Sequence, residues 1–440
     1  MLRFGIIKVL RLLVLTSLLL TACGAKATPG VEQTSTPGQP AQTGESMIMT
    51  VWGSQLDPEV YQARLDLFTK ANPHIPVELL YIPSDYSQKV QTMIAGGTAP
   101  CIIQVAEDIH GYSGKGQIIP LDDYINKAGI DLQQRYGTTG GLVQAYNYNG
   151  SLYAMPDRGG ALIIYYNKDM FDKAGLAYPT KDWTWIEFLD AAQKLTVRTG
   201  DTVDVYGFAA GDWWPWWMSF IYQNGGAILD ASGKPVVNSP EAVAAMQFYN
   251  DLVYKYKVAP SPEDYANMGQ TSPDPLFAQG KVAMSMTGFW AVNGLSKVTN
   301  LNWDIAPLFK NVKPATVLFG SGLAITKDCP TPDQAFKVIE FLTNAEGQMP
   351  IVDMKQDAPA NAEVLRSDKF LNTSWAGDKK INLQALVDSI DLAFPLPLAP
   401  QWNEMLTILG DNLAEFFLNT KDAQSSLDEA QQQLEELFKQ

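Results

Sequence analysis

Histidine and cysteine are scarce in this 440-residue chain, with two of the former and three of the latter. His74 and His110 are far apart. There is no H-E-x-x-H, C-x-x-C or G-x-S-x-G motif and no phosphate loop. Metal-assisted hydrolysis and histidine-based nucleophilic catalysis are therefore disfavoured, and no cofactor or metal is expected. "GYSGKG" (Gly111–Gly116) has the wrong glycine spacing for phosphate and reads as a turn. Positive charge is also in deficit, with 32 Lys plus Arg against 47 Asp plus Glu and a net charge of −15. Arg3, Lys8 and Arg11 stand in the first 22 residues without an acid, so the remainder carries −18. Such a surface repels phosphate backbones, which argues against nucleic acid as a partner. No apolar run reaches the roughly 20 residues of a membrane span. One catalytic class survives these absences. Carboxylates are abundant, and a secreted glycoside hydrolase needs only two of them correctly placed.

What is present describes a folded, exported protein. Hydrophobic content is 46% and charged content 18%, which excludes disorder, and the length implies more than one core. Residues 1–22 read as an export signal: a basic start, then the apolar stretch Leu12–Leu20. "LLLTACG" resembles the lipobox of bacterial lipoproteins, which implies cleavage before Cys23 and a lipid on its sulfur. Ala25 to Ser46 is rich in Thr, Pro, Gly and Gln without apolar periodicity, so 23–46 reads as a lipidated Cys and a flexible tether.

The body opens with an alternation of elements. "MIMTVW" is a strand, and Asp57-Pro58 starts a helix with Val60, Leu65 and Phe68 inward. "IPVELLYI" is a second strand, Ser84 starts a second helix, and "CIIQV" is a third strand. This order predicts a parallel, doubly wound sheet, whose ligands sit beyond the carboxyl ends of the strands. Those ends lead into Gly53, Ser54 and Gln55, and into Ala106, Glu107 and Asp108. Small polar residues there fit a binding crevice and fit solvent-facing loops equally. Later helices start at the capping box Thr184–Glu187, at Ser239-Pro240, at Thr331-Pro332 and at Ser426–Glu429.

Aromatic residues carry the remaining signal. "GDWWPWWMSF" places Trp213, Trp214, Trp216 and Trp217 within five positions, out of eleven Trp. A core, a partner or a ligand with flat apolar faces could use them. Sugar rings have such faces, together with a polar rim that amides, carboxylates and Arg can bond. Trp183, Trp185 and Trp303 read as core.

Seven segments then follow one another in a familiar order: "VWGS", "FTKANPHIPVELLYI", "KVQTMIAGGTAPCIIQV", "GSLYAMP", "YYNKDMFDKAGL", "FAQGKVAMSMTGFW" and "SGLAIT". From about Met47 onward the chain resembles the extracellular solute-binding proteins of ABC importers, in the sugar-binding, maltose-binding-protein-like family. It departs from the pattern at Cys101, where the family usually has Asp. The resemblance implies an α/β, type II periplasmic-binding-protein-like fold. Each of its two lobes is a doubly wound sheet flanked by helices, and a multi-strand hinge joins them. Lobe 1 would hold 47–156 and 322–357, and lobe 2 would hold 157–321 and 358–440. The crossings would fall near Met155–Gly160, Phe309–Gly322 and Gln356–Asn361.

The same resemblance assigns a binding site to Ser54, Gln55, Glu107, Asp108, Asp157, Arg158, Trp213, Trp214, Trp216, Trp290, Ser321 and Trp402. Arg158 fits either a site residue or a hinge ion pair. At most two residues of the Trp run can face a cleft, and Trp217 reads as core. The resemblance also puts Cys101 and Cys329 in the first lobe, close together in a protein that meets oxidants. It implies a monomer that captures a sugar or oligosaccharide, delivers it to a permease with its ATPase, and catalyses nothing. Alternatives are a glycerol-phosphate compound, a polyol or a polyamine as ligand.

Overall fold

A computed structural model describes residues 46–137, 140–376, 380–394 and 399–439. Cys23 and the tether lie outside the described residues. The chain opens with strand β1 (Met47–Val51), helix α1 (Asp57–Ala71), strand β2 (Val77–Tyr81), a helix over Tyr86–Ala95 and strand β3 (Ile102–Val105). β1 pairs in parallel with both β2 and β3, so it lies between them. Helix α1 buries Val60, Leu65 and Phe68 against this sheet.

Strand β4 (Ala154–Asn167) is buried along all 14 residues. Its "ALIIYY" run lacks polar alternation, as suits a strand covered on both faces. Strands β5 (Met284–Gly288), β6 (Trp303–Ala306) and β7 (Thr316–Ile325) join one eight-stranded sheet whose main path is β6-β4-β7-β3-β1-β2, with β5 also on β4 and the two-residue strand Ala393–Phe394 on β7. The first half of β4 pairs with β7, which continues to β3. Its second half, from Leu162, pairs with β5 and β6 instead. The two lobes are thus α/β units whose sheets are hydrogen-bonded into one through β4 and β7. A third strand-like crossing lies beside them: the Gly159 amide donates to the Ala358 carbonyl at 3.2 Å, and the Ala360 amide to that of Asp157 at 3.3 Å.

Separate hydrophobic cores flank this sheet. One packs Met49, Val51 and Ile103 with Ile339 and Leu342. A second gathers Phe188, Phe220 and Phe309, and a third Tyr165, Trp303 and Trp375. Cys101 and Cys329 are joined by a disulfide that closes a span of 228 residues. It ties the start of β3 to the loop after β7, at the end of the sheet away from the β3 carboxyl terminus.

Where β4 passes between the lobes it carries a bulge. Arg158 faces Ser321 and Pro156 faces Gly322, so Asp157 is one residue in excess. Glycine is required here on β7: a Cβ on Gly320 would stand 2.5 Å from the Arg158 carbonyl oxygen, whereas one on Gly159 would stand 2.8 Å from a Leu142 methyl group that can shift.

Some helix starts differ from the sequence reading. The Thr184–Glu187 box and the Ser239 cap form. Ser84 does not cap the second helix. Asp85 stands at its N-cap in a left-handed conformation, φ 53°. The last helix begins a turn earlier than Ser426, capped by Asp422, because the Asp carboxylate reaches the Ser425 amide and Ser426 faces the core. "GYSGKG" is not a free turn. Gly111–Gly114 belong to a short helix over Ile109–Gly114, and Gly116 follows it with φ 62°.

Candidate functional site

A cleft of about 850 Å³ opens beyond the carboxyl ends of β1 and β3, over the glycine-rich stretch of β4 and β7. Its first wall is built by Trp52, Ser54, Tyr86, Ser87, Glu107 and Asp108. Its floor holds Asp57, Arg158, Ser321, Gln356 and Asp357, and its second wall Trp213, Trp290, Phe319, Trp402 and Asn403.

The loop after β1 is shaped by Asp57, at the start of α1. Its Oδ2 accepts from the Ser54 amide at 2.7 Å and the Ser54 hydroxyl at 2.8 Å. Gly53 makes this approach feasible. It has φ 134°, and a Cβ there would lie 2.2 Å from the Asp57 carboxylate. The other oxygen, Oδ1, accepts from Arg158 Nη1 at 2.5 Å and Gln356 Nε2 at 2.7 Å. Arg158 Nε donates to the Ser321 hydroxyl at 3.2 Å. Arg158 therefore lines the floor and is at the same time bound by the protein's own groups.

At the end of β3 two adjacent carboxylates behave differently. Asp108 is held by the Ser87 hydroxyl at 2.7 Å and the Ala106 amide at 3.2 Å. Glu107 has no side-chain hydrogen bond or ion pair to another described residue. Burial, offset by its own backbone amide and reinforced by the charge of Asp108, pushes the Glu107 carboxyl up to about 7. Burial likewise raises Asp357 to about 6 against the lowering effect of Arg158. Trp52 and Tyr86 stand beside this acidic end with ring centres 4.9 Å apart.

The second wall is aromatic. Trp213 is 39% exposed and Trp290 37% exposed, and both pack on Phe319 at 5.5 and 5.1 Å. Trp290 lies flat over Gly288. A Cβ at that glycine would stand 1.9 Å from the indole, so the side chain's pose depends on having none. Trp402 heads the helix Trp402–Phe417 and is only 2% exposed. Its Nε1 is buried without a partner among the described residues.

Of the residues expected here from sequence, Ser54, Glu107, Asp108, Arg158, Trp213, Trp290, Ser321 and Trp402 line the cleft. Four do not. Gln55 is exposed on the turn before α1, outside the lining. Asp157 is the bulged residue and points into the first lobe, paired with Arg64 at zero exposure of both. Trp214 and Trp216 belong to the helix Trp214–Gln223 and are buried in the second lobe's core. Trp214 stands behind the wall, 5.2 Å from Trp402, and Trp216 donates from Nε1 to the Met286 carbonyl at 2.6 Å. Trp217 is core as well, and only Trp213, the residue before the helix, faces outward. Sequence reasoning missed Trp52, Asp57, Tyr86, Phe319, Gln356 and Asp357. Trp52 ends the strand whose next residues were singled out, so position alone could have found it. Asp57 read only as a helix start.

The model of the bacterial extracellular solute-binding protein family matches residues 49–349. The chain belongs to that family. It is similar to the maltooligosaccharide ABC transporter solute-binding lipoprotein of Streptococcus pneumoniae, with 25% identity covering 98% of this chain and 97% of that one. It is also similar to the sn-glycerol-3-phosphate-binding periplasmic protein of Salmonella typhimurium, at 25% identity covering 89% and 93%. Among solved structures it resembles an ABC substrate-binding protein from Listeria monocytogenes in complex with cycloalternan. The TM-score is 0.80 at 28% identity, over 90% of this chain and 99% of that one. Among the described residues of this solute-binding protein, no helix is long and apolar enough to cross a membrane and no three His, Cys, Asp or Glu could hold a metal.

The layering of the Trp run predicts a split in alanine substitutions. Trp213→Ala should weaken ligand binding at near-normal melting temperature. Trp216→Ala and Trp217→Ala should each cost about 3–5 kcal/mol of stability, the range for a buried aromatic. Calorimetric melting and a binding titration on each variant separate the two; early melting of Trp213→Ala would place it in the core.

The raised Glu107 carboxyl carries a sign. A group whose folded value lies above the ordinary 4.5 is protonated in the fold at pH values where the unfolded chain has released its proton. Folding then costs nothing extra below about 4.5, and the full penalty is present above about 7. Glu107→Gln should raise the melting temperature at about pH 8, and the gain should vanish near pH 4. Equal melting of both proteins at about pH 8 would show that the charge costs nothing.

Proposed function

We propose that this substrate-binding subunit of an ABC importer captures a carbohydrate in the cleft between its lobes. The observation that carries this reading is the chemistry of the facing walls. Trp213, Trp290 and Phe319 offer flat apolar surface on one side. Glu107, Asp108, Ser54 and Ser87 offer polar groups on the other. A pyranose has C–H faces for the first and a hydroxyl rim for the second. A volume of about 850 Å³ accommodates more than one ring. Relatives whose names record maltooligosaccharide and arabinooligosaccharide binding support the class.

A phosphorylated ligand, as bound by the Salmonella relative, fits this cleft less well, since Arg158 is the one cation in the lining and Asp57 already neutralises it. The protein binds its solute and leaves it unchanged. The hinge strands β4 and β7 would let the lobes close on the ligand, and the closed lobes would meet the permease and its ATPase. The subunit acts as a monomer, held at the outer face of the membrane by a lipid on Cys23 through the 23–46 tether.

A thermal-shift screen over neutral mono- to tetrasaccharides tests the ligand class, because a sugar at a hundred times its Kd adds about 2.7 kcal/mol. No shift with any saccharide, or sugar release by the purified protein, would overturn it. Cys23→Ser should yield an unprocessed precursor without lipid, and normal processing with detergent-phase partitioning of that variant would overturn the anchor.

A further inference from the structure

The polar lining of the cleft is unbalanced in a way that a neutral sugar does not call for. Four carboxylates, Asp57, Glu107, Asp108 and Asp357, face one cation, Arg158. Arg158 is already committed to Asp57 at 2.5 Å and lies 3.9 Å from Asp357. Pairing Arg158 with Asp57 leaves the other three carboxylates without a full counter-charge.

The donors of the same region are used up in a consistent direction. The Ser54 hydroxyl donates to Asp57 at 2.8 Å, the Ser87 hydroxyl to Asp108 at 2.7 Å, and the Gln356 amide nitrogen to Asp57 at 2.7 Å. Among these groups, what remains free are acceptors. Beyond its own backbone amide, the Glu107 carboxyl has no hydrogen-bond partner among the described residues. Gln356 is only 5% exposed, and its Oε1 is buried without a partner among the described residues. An orphaned acceptor of that kind is costly, and a bound donor relieves the cost. The opposite wall shows the reverse: its orphan is a donor, Trp402 Nε1, among aromatic rings. Trp52 and Tyr86, beside the acidic end, add π faces that attract a cation.

We infer that the solute is a saccharide or cyclitol carrying a protonated amine, oriented with the amine toward Glu107 and Asp108 and its ring against Trp213 and Trp290. The inference rests on the carbohydrate reading above and narrows it. An ammonium supplies donors and positive charge at the end of the cleft where Glu107 and Asp108 stand, and charge-assisted bonds of this kind are about twice as strong as neutral ones. A hydroxyl at the ring's other edge accepts from Trp402.

Isothermal titration of the full mature chain tests this with matched trios: neutral mono- to tetrasaccharides, the same compounds with one free primary amine, and their N-acetyl forms. Acetylation removes the charge and keeps the ring. At least one amine-bearing compound should bind about tenfold or more tighter than both counterparts, a difference of about 1.4 kcal/mol. That preference should fall away in Glu107→Gln or, if that variant does not fold, in Asp108→Asn. Neutral or N-acetyl forms binding as tightly as every amine would overturn the inference and leave the carbohydrate reading standing. A preference that survives both substitutions would overturn the assigned orientation. Absence of binding across all three sets would remove both readings together.

Discussion

Asp57, Tyr61 and Arg64 stand four and three residues apart on α1, so they share one face of that helix. All three grip the same point of β4. Arg64 pairs with Asp157 and donates from Nε to the Gly347 carbonyl at 2.7 Å, Tyr61 donates its hydroxyl proton to Asp157 at 2.5 Å, and Asp57 accepts from Arg158. The bulge makes this feasible, because it turns two consecutive residues to different partners. Charges this deep are stable only as complete sets. Removing one partner of a buried pair typically costs about 3–5 kcal/mol, since the other is left uncompensated. Gln348 completes the set at Asp157, at 2.7 Å to its carbonyl oxygen and 3.1 Å to its carboxylate. The polar stripe of α1 therefore fixes where the strand leaves the first lobe, and with it the height and tilt of the cleft floor.

The cleft's two walls follow from different devices built on that floor. The first wall is set by backbone and hydrogen bonds. Gln104 accepts from the Trp52 amide at 2.9 Å and donates to Tyr61 at 3.0 Å, so the loop after β1 is registered against the same network. Tyr86 accepts from the Gln104 amide at 2.9 Å and donates to the Thr50 carbonyl at 3.1 Å, which fastens the second helix to the ends of β1 and β3. The second wall is set by packing. Trp214 and Trp216 are buried and pack against Trp213 at 5.8 and 5.5 Å, so the one exposed indole rests on core rings. Pro215 stands in the helix's first turn, where its missing N–H is not needed. Gly288 and Trp290 extend the same surface by close contact. An acidic wall and an aromatic wall thus face each other across a floor made by the strands that the lobes share.

The Trp run shows where reading the sequence reaches its limit. Its density marked the second wall correctly as aromatic, yet three of its four indoles are core. In a helix, neighbours point about 100° apart, and which arc faces the cleft depends on how the helix lies against its surroundings. The same holds for Asp157 and Arg158. Alternation alone predicts opposite faces, but the bulge and the position of α1 decide that one is a structural anchor and the other a floor residue. Gln356 and Asp357 enter the site from a segment about 200 residues away from β4, where the family resemblance implied a hinge crossing but no local pattern marked either side chain as facing the cleft.

By itself, the chain's sequence determined the βαβαβ opening, the parallel pairing of its first three strands, the capping box at Thr184, and Ser54, Glu107 and Asp108 at strand ends where ligands gather. These are local consequences of apolar periodicity and turn chemistry, which act over a few residues. Only the tertiary structure decided that the lobes share one sheet through β4 and β7, that Arg158 is spent on Asp57, that Gln356 and Trp402 hold orphaned polar atoms, and that Trp213 alone of its cluster is exposed. Each of these depends on which distant groups meet inside a low-dielectric interior, where a charge or a hydrogen-bonding atom must find its partner in space.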